Sequence, residues 1–111
     1  MTTEIKSTET DRICALNDEL RKDFSRGHAV MTIGIAALGA EAVARIVKAI
    51  EVYDDFCHAN DPHEEHDFGS FEAEGHTIFF KIDLYEDPNV KDSDGEPLVN
   101  RVLTIMLADE Y

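Results

Sequence analysis

The sequence has no apolar run approaching the roughly 18 to 20 residues that a membrane span needs. Its first residues also lack the basic start and apolar centre of a signal peptide, so we expect a soluble protein that stays in the cytoplasm and does not contact a membrane. Its two cysteines, Cys14 and Cys57, are far apart in the sequence. In a reducing cytoplasm we interpret both as small buried hydrophobic residues.

A second absence is more informative, because residues 49–80 contain neither lysine nor arginine but nine acids. Residues 1–48 carry seven acids and seven bases, whereas residues 49–111 carry 17 acids and three bases. The whole net charge of −14 therefore lies in the C-terminal part. Such a field steers encounter and repels surfaces of like charge, although it does not choose a fold.

The composition indicates one folded domain. Hydrophobic residues make up 43% of the 111 residues, which is enough for a core and excludes a disordered acidic tail. Residues 1–9 are polar, and we expect a flexible N-terminus there, followed by a single domain over residues 10–111.

The first half of the chain predicts two helices separated by a strand. Apolar residues at spacings of three and four predict a helix from Thr10 to Phe24, with Gly27 as a left-handed stop. The charged residues of its opposite face, Arg21 among them, are typical of a solvated surface. A β-branched segment between His28 and Leu38 predicts a strand, and a second apolar stripe predicts a helix from about Ala40 to Phe56.

The second half predicts strands. Glu74-Gly75 is a tight-turn signal, and pairing Ala73 with His76 places Phe71 opposite Ile78 in an antiparallel hairpin. We expect a loop over residues 86–97. The apolar run over residues 98–107 favours a final central strand, although a short helix also fits. The fold class is therefore α+β: a two-layer sandwich in which two helices cover one face of a mainly antiparallel sheet of about four strands.

The loop after the second helix raises the question of a metal. His63 and His66 are three residues apart, with His58, Asp61, Cys57 and Asp67 nearby, and imidazole with carboxylate is a donor set that divalent ions use. None of the regular zinc spacings is complete. We therefore favour a polar, solvated loop and expect no metal, no catalytic residue and no cofactor, with His58, His63 and His66 as weak metal candidates.

The candidate binding residues are nine carboxylates. Three crowd the end of the second helix, where the helix dipole favours cations and not acids. Others lie in the loop, and three more are predicted to point outward from the hairpin as a charged row. The nine are Glu51, Asp54, Asp55, Glu64, Glu65, Asp67, Glu72, Glu74 and Asp83.

Three stretches carry a family resemblance: residues 60–69 (Asn-Asp-Pro-His-Glu-Glu-His-Asp-Phe-Gly), residues 80–83, and residues 102–108 followed by Glu110-Tyr111. From about Ile13 to Tyr111 the chain resembles a family of small bacterial domains of unknown function, common in alphaproteobacteria and often found on plasmids and phages. The resemblance implies no activity and no site residues. It does imply a setting on mobile elements, where small, very acidic proteins are often anti-CRISPR or anti-restriction inhibitors.

Three hypotheses follow. The first is an inhibitor that imitates nucleic acid and occupies a basic DNA-binding surface of a host defence complex, such as a CRISPR surveillance complex, without itself binding nucleic acid. The second is a small enzyme whose metal is held by His58, His63 and His66 with Asp61 or Asp67. The third is a non-catalytic interaction module, or a homo-oligomer formed through an exposed edge strand. We prefer the first, and with it a protein that is not an enzyme.

Overall fold

A computed structural model describes residues 9–56, 61–91 and 93–111. Most of the predicted N-terminal segment, residues 1–8, lies outside this part of the chain, as does Cys57. The fold class is α+β, as predicted. The helices are α1 (Glu9–Lys22), α2 (Ile33–Ala36) and α3 (Ala40–Glu51), the strands are β1 (His28–Met31), β2 (Phe68–Ala73), β3 (His76–Lys91) and β4 (Pro97–Leu107), and 3-10 turns span Phe24–Arg26 and Ala108–Glu110.

The four strands form one sheet in the order β1-β4-β3-β2. β3 pairs antiparallel with both β2 and β4, whereas β1 pairs parallel with β4. The apolar run at the C-terminus is therefore a central strand and not a helix. The outer strand β1 belongs to residues 1–48, where acids and bases balance. The outer strand β2 belongs to the acidic part, residues 49–111.

The predicted hairpin between β2 and β3 is confirmed to the residue. Ala73 pairs with His76, and Phe71 lies opposite Ile78. Glu74 and Gly75 form the turn with φ of 55° and 77°, which is the left-handed pair that a type I′ turn requires. Alternation along β3 consequently points Ile78, Phe80 and Ile82 to one face, where all three are buried.

The core lies between that face and the helices. Leu20 of α1 and Ile46 and Ile50 of α3 are at most 1% exposed, and they pack in one cluster with residues of β3 and β4. Apolar stripes at helical spacing explain this face of each helix. The opposite face of the sheet carries an aromatic group instead, in which Tyr111 packs against Phe68 and Phe79.

The helix predicted from about Ala40 to Phe56 is α3, which ends at Glu51, so the predicted extension to Phe56 is wrong. Arg21 of α1 explains the early end, because its guanidinium donates to the carbonyl oxygens of Ile50 at 2.9 Å and Tyr53 at 2.6 Å. A buried cation thus satisfies carbonyls that the last turn leaves open. The interpretation of Arg21 as a surface residue is also wrong, since it is 3% exposed.

Two other boundaries differ from the prediction. The first strand ends at Met31, because Thr32 caps α2 by accepting a hydrogen bond from the Ile35 amide at 3.4 Å. Gly27 is extended (φ −171°) and not left-handed.

The segment predicted as a loop over residues 86–97 is mostly strand. β3 and β4 pair out to Lys91 and Pro97, with a register irregularity between Asp87 and Lys91 that accommodates Pro88, which has no amide proton for the ladder. These strands extend beyond their neighbours β1 and β2, and the molecule measures 53 × 38 × 21 Å. None of the helices in the described part of the chain is long and apolar enough to cross a membrane.

Candidate functional site: the acidic edge of the sheet

Strand β2 forms one border of the sheet, and the predicted acids gather around it. The chain leaves α3 at Glu51 and passes beside β2, where the Tyr53 hydroxyl donates to the Ser70 carbonyl and accepts from the Ser70 amide, both at 3.3 Å. Tyr53 is 8% exposed, and its ring packs edge-on against Phe80. This anchor holds Asp54 and Asp55 alongside the strand.

The first group of acids lines a groove of about 570 Å³. Asp54 and Asp55 form one wall, and Glu72 of β2 lies across from them. Glu72 is opposite Thr77 in the register, so its side chain points to the sheet face that bears no helix. Asp54 and Glu72 have no cation within 4.0 Å among the described residues.

The second group lies at the start of β2, around a recess of about 310 Å³. Glu65, Asp67 and Asp83 line it, and Arg101 of β4 also reaches it. Glu64 precedes this group as an exposed residue with φ of 56°. Asp83 lies 3.4 Å from the Lys81 ammonium group, so part of its charge is offset within the molecule.

Two of the nine predicted acids leave the site. Glu74 forms a bidentate ion pair with Arg45 of α3, which lowers the pKa of Glu74 mainly through that hydrogen bond. Glu51 lines neither recess and lies 3.6 Å from Lys48. Glu72 and Asp83 point outward as predicted, but Glu74 pairs with Arg45 of the helix layer, so the predicted row of three is wrong at Glu74. The prediction that Asp54 and Asp55 occupy the last helical turns is also wrong, since both lie beyond Glu51.

We call the remaining set the acidic edge. It has seven members in two groups at the two ends of β2, joined by a strand that is itself fixed to the core. The members are Asp54, Asp55, Glu64, Glu65, Asp67, Glu72 and Asp83.

The segment over residues 61–67, which carries Glu64, Glu65 and Asp67, is held by a buried polar network. Asp61 is 4% exposed, and its Oδ1 accepts from the amides of Glu65 at 3.0 Å and His66 at 3.1 Å. Asn17 of α1 donates to the Glu65 carbonyl at 2.9 Å. At the other end, the Asp67 carbonyl accepts from the Ile82 amide at 2.8 Å. The acids of this segment therefore have a fixed backbone.

His66 lies at the centre of this network. Its Nδ1 is 2.9 Å from Asp18 Oδ1, its Nε2 is 3.6 Å from Asp61 Oδ2, and its ring stacks on Phe56 with centroids 3.9 Å apart. Although burial acts to raise the pKa of the Asp18 carboxyl, hydrogen bonds with His66 and Arg21 hold that pKa below its usual value. The histidine therefore links α1 to the segment over residues 61–67.

The structure describes two of the three predicted metal candidates and places them in different surroundings. His63 is exposed, His58 lies outside the described residues, and His66 faces Asp18 and Cys14 of α1. One donor atom from each of Cys14, Asp18 and His66 lies within 4.8 Å of the others. Burial raises the pKa of the Cys14 thiol to about 11, and the charges of Asp18 and Asp61 add to that shift.

Sequence reasoning did not identify the roles of four residues in this region. Three of them, Asn17, Asp18 and Arg21, lie on α1, and the fourth is Asp61. Their spacing of three and four on one helix is a signal of a shared face. Because that face also contains the buried Leu20, its pattern is compatible with polar residues that are buried too. Nothing in the local sequence names the partners of Asn17, Asp18 and Arg21 outside α1, which lie 29 to 84 residues away.

Comparisons with known proteins give a family and no activity. No curated protein and no solved structure matches the chain. Residues 31–110 match the family model described as a protein of unknown function (DUF3768). The match begins later than the resemblance suggested and therefore leaves out α1. It includes the whole acidic edge, together with Asp61 and His66. Since it spans well over half of the sequence, this chain belongs to the DUF3768 family of proteins of unknown function.

Proposed function

We propose that this protein binds the cationic surface of a nucleic-acid-binding protein and blocks access of DNA to it. The observation that supports the proposal is the acidic edge: seven carboxylates, from a chain of net charge −14, on a fixed border of one sheet. Proteins that hold DNA do so chiefly with lysine and arginine, and a rigid set of carboxylates offers the same attraction.

The spacing of the acids suits this role. Asp67 and Glu72 are five residues apart along an extended strand, which corresponds to about 16 Å. Duplex DNA presents about nine or ten charges over that length of axis, at one per roughly 1.7 Å. The acidic edge gathers its carboxylates in two groups toward the ends of this stretch, which is a smaller number of charges than the duplex presents.

Rigidity is the second support. Flexible acidic side chains on a mobile loop would lose entropy on binding, whereas a fixed backbone reduces that cost. The Asp61 and Asn17 hydrogen bonds fix the backbone of residues 65 and 66, and Tyr53 fixes β2 beside Asp54.

The resemblance described above suggests a bacterial mobile element as the setting. Within that setting, an anti-CRISPR or anti-restriction inhibitor acting in the host cytoplasm is the proposed class. The partner is then a DNA-binding protein or complex, and the protein itself binds neither DNA nor a membrane.

The test uses immobilised protein to capture host proteins at low salt and to elute them with increasing salt. A captured DNA-binding protein should be displaced by duplex DNA, and affinity should fall steeply with salt, since screening weakens charge attraction. The variant E64K/E65K/D67K should lose at least about tenfold in affinity, which is the lower end of the range over which electrostatic steering changes association rates. A control variant, E19K/E86K/D109K, makes the same change in net charge at exposed positions outside the acidic edge.

If both variants lost the same affinity, the effect would come from net charge, and no defined surface would be involved. Binding that is unchanged by salt, or a captured partner that DNA does not displace, would contradict the proposal.

A second candidate function, self-association, is favoured by the opposite border of the sheet. All four residues of β1 are exposed, and residues 29–40 contain no charged side chain, a segment we call the uncharged edge. Val30 is 49% exposed, Met31 46% and Ile33 88%. Edge strands of soluble proteins are usually protected by charge, proline or a bulge.

The occupant that fits the uncharged edge is a second copy of the chain. Two molecules of charge −14 repel each other through their acidic halves, so self-association is favoured at a segment with no charged side chain of its own, although the Glu110 carboxylate lies against Thr32 and Gly34. Antiparallel pairing of β1 with β1 gives a two-fold axis and joins two four-stranded sheets. Sedimentation at several concentrations measures this: Val30→Lys should convert a dimer to monomer, and the control Tyr85→Lys, at another exposed apolar position, should not. A monomeric wild-type protein would exclude the dimer.

A further inference from the structure

The cluster at the junction of α1 with the segment over residues 61–67 has the composition of a metal site. Cys14 and Asp18 are one helical turn apart on α1, with Sγ 3.8 Å from Oδ2. His66 Nδ1 lies 2.9 Å and 3.1 Å from the two Asp18 oxygens. We propose that Cys14 Sγ, Asp18 Oδ2 and His66 Nδ1 bind one Zn²⁺ ion. This proposal does not rest on the DNA-mimic function.

The distances between the donor atoms suit the ion. Tetrahedral zinc with bonds of about 2.0 to 2.3 Å places its ligand atoms roughly 3.3 to 3.6 Å apart. The observed separations of 3.1 Å and 3.8 Å lie on either side of that range. The third pair, Cys14 Sγ and a His66 ring nitrogen, lies within 4.8 Å, so a metal requires side-chain rotation at Cys14 or His66 to close that separation.

The donor types also select zinc. Thiolate, imidazole and carboxylate together suit a borderline ion, whereas Mg²⁺ and Ca²⁺ prefer oxygen ligands alone. On metal binding the Cys14 thiol releases its proton to solvent, and the resulting thiolate together with the Asp18 carboxylate balances the two positive charges of the ion. The arrangement supplies three protein ligands, which leaves a fourth position for water or another ligand.

His66 faces Asp18 with Nδ1 and the Asp61 carboxylate with Nε2. A metal-binding histidine usually donates from its other ring nitrogen to a carboxylate, and here Nε2 lies 3.6 Å from Asp61 Oδ2. Asp61 is itself held by the amides of residues 65 and 66. Stacking on Phe56, with ring planes 4° apart, fixes the plane of the imidazole.

The Asp18 carboxylate contacts both Arg21 and Cys14. Its Oδ1 accepts from Arg21 Nη2 at 3.0 Å, while its Oδ2 faces the Cys14 sulfur. The guanidinium is a competing cation, but it is also bonded to the carbonyls at the end of α3. Arg21 therefore orients Asp18 and does not need to leave when a metal enters.

The experiment uses full-length protein without a histidine tag, stripped of metal and kept reduced. Co²⁺ is added as a spectroscopic probe, and Zn²⁺ then displaces it in competition with a chromophoric chelator. We expect one ion per chain and a thiolate-to-cobalt charge-transfer band. Cys14→Ser should abolish the band and weaken Zn²⁺ by more than about 100-fold, whereas Asp61→Asn should weaken it by about 10- to 100-fold as an outer partner.

His63→Asn is the matched control for His66→Asn, because His63 is exposed three residues earlier. Circular dichroism establishes that each variant is folded. If His66→Asn fails to fold, Cys14→Ser decides, because Cys14 is only partly buried. No stoichiometric binding, a band that persists in Cys14→Ser, or equal losses in the two histidine variants would each overturn the proposal.

Discussion

The two borders of the sheet differ in almost every property. The uncharged edge, residues 29–40, has no charged side chain, its strand β1 is exposed, and β1 joins the sheet through four residue pairs with β4. The acidic edge is charged, and its backbone is tied to α1, α3 and β3. The comparison teaches that charge alone does not define a site here: the acids acquire a fixed arrangement because buried polar residues hold the segments that carry them.

The largest expected effect comes from removing the buried cation behind the acidic edge. Arg21→Met leaves the carbonyls of Ile50 and Tyr53 without this donor and leaves Asp18 with His66 but without a permanent cation beside it. Breaking such a buried interaction on one side costs about 3 to 5 kcal/mol of unfolding free energy. Urea unfolding measures it, and Lys22→Met, an exposed neighbour, should stay within about 0.5 kcal/mol of wild type. Similar losses in both variants would contradict the assigned role of Arg21.

A smaller effect distinguishes how tightly each edge strand packs. A Cβ at Gly69 of β2 would lie 2.2 Å from the Phe80 ring and 2.8 Å from Tyr53. Phe80 is fully buried, so its ring cannot move aside freely. We expect Gly69→Ala to cost about 1 to 3 kcal/mol, as overpacking does. Val30→Thr on β1 should change the unfolding free energy by less than about 0.5 kcal/mol. If both variants unfold at the same urea concentration, the two edges do not differ as described.

The smallest effect concerns pH at the uncharged edge. Glu110 accepts from the Thr32 hydroxyl, from the Leu107 amide at 2.9 Å and from the Gly34 amide at 3.1 Å. The bond from Thr32, followed by that from Leu107, holds the pKa of the Glu110 carboxyl below its usual value. A lowered folded-state pKa adds stability that is complete above the unfolded-state pKa and disappears as pH falls through the folded-state pKa.

Glu110→Gln should therefore lower the melting temperature at neutral pH, and the difference from wild type should shrink below about pH 4.3, the ordinary glutamate pKa. Melting curves from about pH 7 to about pH 2 measure this, since that range spans the titration of the carboxyl in both states. Asp109→Asn, the exposed neighbouring acid, serves as the control. A difference between Glu110→Gln and wild type that stays constant across that range would exclude this carboxylate as the titrating group.

Several elements could be predicted because their causes are local. The turn at Glu74-Gly75 needs two left-handed residues, and alternation along β3 then places Ile78 and Phe80 in the core. The boundaries that were wrong depend on distant residues. The end of α3 depends on Arg21, 29 residues from Ile50, and the paired strands over residues 86–91 depend on β4.

The site divides in the same way. Charge counting placed the acids in residues 49–111, but it could not show that Glu74 meets Arg45 or that Glu51 meets Lys48. The Arg45–Glu74 pair exists only when α3 meets the hairpin, whereas Lys48 and Glu51 are three residues apart on one helix, which is a local spacing. The sequence indicated His66 as a metal candidate, but it did not indicate the neighbours of His66 on α1.

The sequence by itself determined the α+β class, the hairpin register and the one-sided distribution of charge, because periodicity, turn chemistry and composition act over a few residues. Only the tertiary structure decided which carboxylates face solvent, which face a cation, and which side chains surround His66. Those outcomes depend on contacts between segments that are far apart in the chain, and no local pattern specifies the partner of a polar group once it is buried.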